Sequence, residues 1–353
     1  MQDETETTAK TPQHEIFASP DRDLTLYLTV SEELGSVALK NEAAEHALDI
    51  WRANTNEILE FPSVEEGLDM DGIRAARERM GVTERPLRFL SPEDYQSVLT
   101  LLEDSEDHSS GRYLYNQDVL LVKRDPSLEA LNGPGYTESL AVHEMAHSGM
   151  SISLTANVDI KRGIVDGIEQ QYVTGGIEQH PTRAGFIVKG PETQEGKERK
   201  IHGSALEEGY AELERGIFNI SIGRPNGFGV AGQEDGYDPY AKYSVLSKTE
   251  KGEVQSSDTP GASVAVILEV LIEKDPEILD ALRRRNLGGR DSVDGHREFI
   301  QRVNHLVPGL YKKLRQLNHH DKYFSTRARE LYDDTLVDLD LDLDPKYKNR
   351  PIR

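Results

Sequence analysis

The first part of the chain alternates short apolar runs with segments in which apolar residues recur every three to four positions. The alternating, β-branched run 24–30 predicts a strand. Helical spacing over residues 36–60 predicts a helix that ends at Phe61 and Pro62. A shorter helix is predicted over residues 71–80, and the glycine that follows is expected to end it. Strands and helices are therefore expected to interleave from the start.

Further strands and helices are predicted before the segment of greatest chemical interest. Residues 86–90 predict a short strand, and a helix is expected to begin after Ser91, with a proline in its first turn. Residues 113–123 predict one or two strands. After the glycine-containing loop 132–135, a helix is expected to begin near Thr137.

The pattern changes after residue 155. Residues 156–203 are rich in Gly, Thr and Val, and the sequence Gly167–Gln170 recurs as Gly176–Gln179, which predicts two similar strands paired in a hairpin. From Ser204 onward the spacing is mostly helical. The run Thr335–Asp344 alternates apolar and acidic residues, which favours a solvated acidic tail over an edge strand.

These patterns predict an α+β protein in five parts. The parts are a polar tail (residues 1–19), an upper lobe that holds a sheet (20–155), a β-rich insert (156–203), a helical lobe (204–332) and an acidic tail (333–353). At 353 residues the chain is long enough to bury a sizeable core.

Charge and cysteine content narrow the classes of function. Lys and Arg number 41 and Asp and Glu 63, so the net charge is −22, which argues against a nucleic-acid surface and against an anionic membrane. The chain has no cysteine, so His, Asp and Glu must hold any metal. The first ten residues are polar and acidic, and no apolar run approaches 18 residues. We therefore expect no membrane span and a cytoplasmic protein.

The segment His143-Glu-Met-Ala-His147 carries the strongest chemical signal. On a helix, positions four apart share one face, so both imidazoles can converge on one metal ion. Glu144 lies about 100° further round the helix. From there it can act as general base on a water at the metal without binding the metal itself. Apolar neighbours indicate that this helix is buried.

A second acidic segment can supply a third ligand. A catalytic zinc ion is held by three protein ligands and keeps a fourth position open. Glu208 and Glu212 lie four residues apart on a predicted helix. Glu208 can therefore bind the metal while Glu212 hydrogen-bonds the outer nitrogen of a ligand histidine. The predicted cofactor is Zn²⁺.

H-E-x-x-H followed by E-G-Y-A from Glu208 resembles the gluzincins, zinc peptidases that include thermolysin and the leucyl-type aminopeptidases. The aminopeptidases carry N-E-G-F-A, whose Glu is the third ligand. Aligned on Gly209, that Glu corresponds to Glu208 and not to Glu207. In thermolysin-like members an acid four residues later supports a ligand histidine, which matches Glu212. Sixty residues separate His147 from Glu208, more than in the aminopeptidases.

The resemblance implies a zincin-like fold, with a small twisted sheet and the motif helix in one lobe and a mostly helical second lobe across the cleft. In the gluzincins a Tyr or His stabilises the oxyanion, and the candidates here are His202, Tyr240 and Tyr243. Zincins keep an edge strand before the motif helix that pairs with an extended substrate, and residues 118–123 are predicted to be that strand.

The predicted function is hydrolysis of peptide bonds in a peptide or protein substrate, with a metal-activated water and Glu144 as base. Two alternatives stay open. One is a catalytically silent protein of the same fold that binds a peptide or a partner protein, and the other is a zinc hydrolase of non-peptide amides or esters. Glu144 argues against the silent alternative, because a binding protein has no use for a base beside the metal.

Overall fold

The structure is a computed structural model. It describes residues 13–19, 24–30, 55–102, 109–114, 117–149, 151–165, 168–183, 186–187, 193–194, 197–198, 204–224, 240–248, 253–259, 261–287, 289–317 and 323–341. Helices and small sheets are mixed in this part of the chain, which is compatible with the predicted α+β class. None of the described helices is long and apolar enough to cross a membrane.

The elements between residues 55 and 148 form a three-stranded sheet and the helices that cover it. Two earlier strands, β1 (Gln13–Ser19) and β2 (Leu24–Val30), belong to another sheet. In chain order the elements from residue 55 are α1 (Thr55–Glu60), α2 (Met70–Met80), β3 (Leu87–Leu90), α3 (Pro92–Leu101), β4 (Gly111–Leu114), β5 (Val119–Lys123), α4 (Pro126–Asn132) and α5 (Tyr136–Ser148). These bounds confirm the predicted strands 24–30 and 86–90 and the predicted helices over 71–80, after Ser91 and near Thr137. Only residues 55–60 of the predicted helix 36–60 lie within the described part, and they are helical.

Capping side chains explain where these helices begin and end. The Asp69 carboxylate accepts a hydrogen bond from the Gly72 amide at the start of α2, and Gly81 ends that helix with a left-handed φ of 70°. Ser91 caps α3 by accepting a hydrogen bond from the Asp94 amide. Gly81 and Ser91, which marked these boundaries in the sequence, therefore end α2 and cap α3 in the structure.

Strand β5 occupies the centre of its sheet, parallel to β3 and antiparallel to β4. The prediction that residues 118–123 form an edge strand is therefore wrong. A central strand has both sides paired and cannot receive another strand. The outer strands of this sheet are β3 and β4.

Both faces of this sheet are buried. On one face, Leu121 and its neighbours pack against Ile58 of α1 and Val98 of α3. On the other face, Leu120 and Val122 belong to the large core that includes α5. Helix α5 thus lies between the sheet and the helical lobe, with one side on each.

The helical lobe continues from residue 204. Its elements are α6 (Ser204–Ser221), a short 3-10 turn (Ala241–Tyr243), β11 (Ser244–Lys248), β12 (Val254–Asp258), α7 (Ala262–Lys274), α8 (Glu277–Asn286), α9 (Gly289–Leu306), α10 (Leu310–Gln316) and α11 (Phe324–Asp338). Helix α6 packs on α5 and on α7, and α7 is buried along most of its length. The antiparallel pair β11–β12 was not foreseen.

A second sheet joins distant parts of the chain. It has the order β1-β2-β6-β7-β8, where β6 is Ser151–Val165, β7 is Ile168–Arg183 and β8 is Phe186–Ile187; two short strands, β9 (Thr193–Gln194) and β10 (Lys197–Glu198), pair separately. The β6–β7 hairpin confirms a β-rich region. However, β6 begins before residue 156 and pairs with β2, so this sheet spans the predicted lobe boundary. The described residues of the internal echo all lie on β7, not on two partnered strands.

The predicted tails are shorter than expected. Residues 13–19 form β1 and pair with β2, so they are not part of a polar tail. Helix α11 continues to Asp338, and Thr335 and Leu336 are buried in it, so the acidic tail cannot begin at residue 333. The first residues of the alternating run, Thr335 and Leu336, therefore belong to a helix and pack in the protein interior. Residues 1–12 and 342–353 lie outside the described residues.

The contact between α6 and α7 depends on a missing side chain. A Cβ at Gly209 would lie 2.4 Å from Cγ1 of Val264 and 3.3 Å from the Ala265 amide nitrogen. We expect Gly209→Ala to lower the free energy of unfolding by about 1–3 kcal/mol, because overpacking outweighs the gain of about 1 kcal/mol in helix propensity. Urea denaturation measures this change.

Val264→Ala provides a partial matched test, because it removes the Cγ1 methyl group 2.4 Å from the new Cβ but keeps the Val264 Cβ, which would lie 2.6 Å away. The double variant Gly209→Ala/Val264→Ala should be more stable than the sum of the two single effects predicts. Strictly additive losses would show that the two helices do not meet at this contact.

Candidate metal centre

Helix α5 brings the two motif histidines together. The Nε2 atoms of His143 and His147 are 3.2 Å apart, and the two rings meet edge to face. The helix is buried between the first sheet and the helical lobe. Its two histidines face α6. The i, i+4 spacing seen in the sequence therefore gives two convergent nitrogen atoms.

Glu208 of α6 completes a group of three ligand atoms. Its Oε2 lies 3.6 Å from His143 Nε2, and its Oε1 lies 3.7 Å from His147 Nε2. Zinc–ligand bonds of about 2.0–2.2 Å at tetrahedral angles place ligand atoms about 3.3–3.6 Å apart. The separation of the two nitrogen atoms, and the distance from each nitrogen to one of the two Glu208 oxygens, are close to this range, so His143, His147 and Glu208 could hold one metal ion.

Glu212 supports one of these histidines. Its Oε1 lies 3.0 Å from Nδ1 of His143, and Arg215 donates to the same carboxylate at 3.3 Å. Burial tends to raise the pKa of Glu212, but the Arg215 charge and the hydrogen bonds from His143 and Thr259 hold it below its usual value. An ionised Glu212 keeps the His143 proton on Nδ1 and leaves Nε2 turned toward the ligand group.

The carboxylates around His143 also set its protonation. Burial lowers the pKa of His143, but hydrogen bonding to Glu212 and the charges of Glu212, Glu144 and Glu208 outweigh burial and raise the pKa to about 9. A zinc ligand must be a neutral imidazole, so a metal ion that binds here displaces the extra proton. The positive charge of the ion then balances the negative charges of the carboxylates, as the proton did before.

Glu144 occupies the position expected of a base. It is buried, and burial, assisted by the Glu208 charge, raises its pKa, although the two histidines and a hydrogen bond from the Tyr113 amide act in the opposite direction. Strand β4 makes room for it, because a Cβ at Gly111 would lie only 2.8 Å from Glu144 Oε1. No local sequence pattern indicates the positions of Gly111 and Tyr113 beside Glu144, because these depend on the order of strands in the sheet.

The neighbouring acids of α6 point elsewhere. Glu207 is buried and accepts a hydrogen bond at 2.6 Å from Arg285 of α8. Glu214 pairs with Arg283 at 2.7 Å. Glu207 is therefore occupied away from the histidines, and the structure gives Glu208, not Glu207, to the ligand group.

The structure does not bring the tyrosine candidates for oxyanion stabilisation to the ligand group. Tyr240 packs edge to face on Tyr332 of α11. Tyr243 packs against Gly216, and the Lys242 ammonium lies over its ring. Gly216 is eight residues beyond Glu208, about 12 Å along the helix. The third candidate, His202, lies outside the described residues.

Adjacent glutamates on α6 allow a crossed test of the ligand assignment. Glu208→Gln should weaken zinc binding by more than about 100-fold, beyond the 10–100-fold typical of residues that only hold a ligand in place. Glu207→Gln should keep zinc affinity but lower the free energy of unfolding by about 3 kcal/mol or more, since it leaves the buried Arg285 without its carboxylate. Competition with a chromogenic chelator and urea denaturation measure the two quantities. If Glu207→Gln weakened zinc binding and Glu208→Gln did not, the third ligand would be Glu207.

Comparison of this chain with protein-family models, with curated proteins and with solved structures found no match. The geometry of the site therefore provides the basis for a functional conclusion.

Proposed function

We propose that this protein is a zinc-dependent hydrolase of peptide bonds with a zincin-like fold of the gluzincin type. One observation carries the proposal. Three ligand atoms spaced for a single ion, from His143, His147 and Glu208, lie beside the buried carboxylate of Glu144, whose pKa is raised. This combination of a ligand group with an adjacent base suits metal-assisted hydrolysis.

The side chains divide the chemistry between them. A bound zinc ion supplies a Lewis acid that polarises a carbonyl group and lowers the pKa of a water molecule toward 7. Glu144 accepts the proton of the attacking water on a carboxylate oxygen and then passes it to the nitrogen of the leaving amine. A raised pKa suits both steps, because a general base works best when its pKa lies near the working pH.

Strand β4 favours a peptide as the substrate. Among the described strands, none pairs with β4 on the side away from β5. The Ser110 carbonyl accepts a hydrogen bond from the Lys123 amide, so by antiparallel alternation the backbone groups of Gly111 and Tyr113 point to the outer side. There the Tyr113 amide donates to Glu144, and the Gly111 groups and the Tyr113 carbonyl face away from β5. An extended peptide paired there would pass beside Glu144, held by main-chain hydrogen bonds that demand little of its sequence.

Glu144→Gln separates an enzyme from a protein that only binds peptides. The change preserves shape and leaves the three ligands intact but removes the proton acceptor, so turnover should fall by about 10²–10⁴-fold. Zinc content should not change. Mass spectrometry of a peptide library, with chelator-treated protein as control, measures the cleavage. Equal cleavage by the variant would exclude Glu144 as base, and a zinc-loaded wild type that cleaves no peptide would favour the silent alternative.

Gly111→Ala tests whether β4 sets the position of the base. The added Cβ must push the Glu144 side chain aside, so turnover should fall by about 10-fold or more while zinc affinity stays within about twofold. The matched control is Gly111→Ala in the Glu144→Gln background, where little further loss is expected because the two changes act on the same group. Independent, multiplicative losses would show that Gly111 acts by another route.

A further inference from the structure

A cavity lies behind the motif helix. Its volume is about 410 Å³, and its floor is apolar, formed by Met70, Ile73, Leu87, Leu120 and Met145. Met145 follows His143 by two residues, about 200° round α5, so the cavity lies on the face of that helix turned away from the metal ligands. Its volume falls within the range of about 300–1,000 Å³ typical of small-molecule sites.

Three arginines border this cavity, which we call the arginine cleft. Arg74 and Arg77 belong to α2, and Arg85 lies just before β3. The chain as a whole has a net charge of −22, whereas the charged residues that line this cavity are three arginines and one glutamate, Glu84. This combination suits a ligand with a negative head and an apolar body.

The present partners of two of these arginines can be exchanged. Arg77 contacts Glu84 at 2.9 Å, but the Glu84 side chain is 79% exposed whereas that of Arg77 is 21% exposed. Arg74 contacts Asp71, whose side chain is also largely exposed. Ion pairs with exposed carboxylates are screened by water and salt and contribute little. A ligand anion could therefore replace Glu84 at Arg77 while Glu84 turns to solvent.

The third arginine is held in place. Arg85 Nε lies 2.8 Å from Asp118 Oδ1, and both side chains are nearly buried. Asp118 also accepts a hydrogen bond at 2.6 Å from the Tyr113 hydroxyl. Because its partner is fixed in this way, Arg85 keeps its guanidinium group at the cleft, with Asp118 balancing its charge.

We propose that the arginine cleft binds a small amphipathic anion, with a carboxylate or phosphate head at the arginines and an apolar body on the floor. Arginine recognises both head groups through charge-assisted hydrogen bonds. The floor offers no charge to a cationic or neutral head. The proposal does not depend on the peptidase activity, because the cleft and the metal ligands lie on different faces of α5.

Calorimetric titration at low ionic strength tests the proposal with four probes that share one alkyl chain. The probes are octanoate, octyl phosphate, octanol and octylammonium. At least one anion should bind about tenfold or more tightly than octanol, and octylammonium should bind no better than octanol. The stronger of the two anions identifies the preferred head. Failure of both anions to bind, or equal binding of octanol, would overturn the proposal.

The two halves of one ion pair supply matched variants. Arg77→Gln should weaken anion binding by about tenfold, whereas Glu84→Gln should leave it unchanged or tighten it, because Glu84 competes for Arg77. Equal weakening by both variants would indicate loss of local structure and would overturn the proposal. Glu208→Gln should not alter octanoate binding, so the result is independent of the zinc and peptidase tests.

Discussion

A carboxylate buried in a protein interior is stable as an anion only where cations or hydrogen-bond donors surround it. Helix α6 carries three such groups: Glu207 and Glu214, seven residues apart on one face, pair with arginines of α8, and Glu212 on another face contacts α5. The pairs are Glu207 with Arg285, Glu212 with His143 and Arg215, and Glu214 with Arg283 and Arg79. A rotation or slide of α6 by one residue would separate Glu207 and Glu214 from the arginines of α8 and Glu212 from His143 of α5. The position of Glu208 thus follows from charges that do not belong to the ligand group.

The site separates two carboxylates by their surroundings. Glu212 is held ionised by Arg215 and His143, whereas Glu144, in a more apolar position, has a raised pKa. Pairs of acids whose pKa values are pushed apart mark the division between a group that orients and a group that exchanges protons. In the proposed mechanism, this division assigns the orienting role to Glu212 and the transfer of the proton to Glu144.

Much of the candidate site could be predicted because it depends on local periodicity. The spacing of His143 and His147, and of Glu208 and Glu212, places each pair on one helix face whatever the fold. Residues that depend on pairing between distant strands could not be found in this way. Gly111 matters because β4, and not β5, is the outer strand, and strand order is not written in any local pattern.

Other differences have equally specific causes. The run from Thr335 was predicted to be a tail because its alternation hides a helical face, yet Leu331, Tyr332, Thr335 and Leu336 follow the i, i+4 pattern of a buried helix. The predicted division at residue 155 failed because β6 pairs with β2, a contact between segments more than 120 residues apart.

The interval between the ligands has a consequence for how this chain can vary. His147 and Glu208 are joined through a long excursion, which includes the β6–β7 hairpin, rather than through a short turn. Loop-closure entropy grows only with the logarithm of length, so extending a 20-residue connection to 60 residues costs roughly 1 kcal/mol. Because α5 and α6 are fixed by their own packing and charge pairs, the length of the connection has little influence on ligand geometry. This interval can therefore gain, lose or exchange whole structural elements while the chemistry at its two ends remains the same.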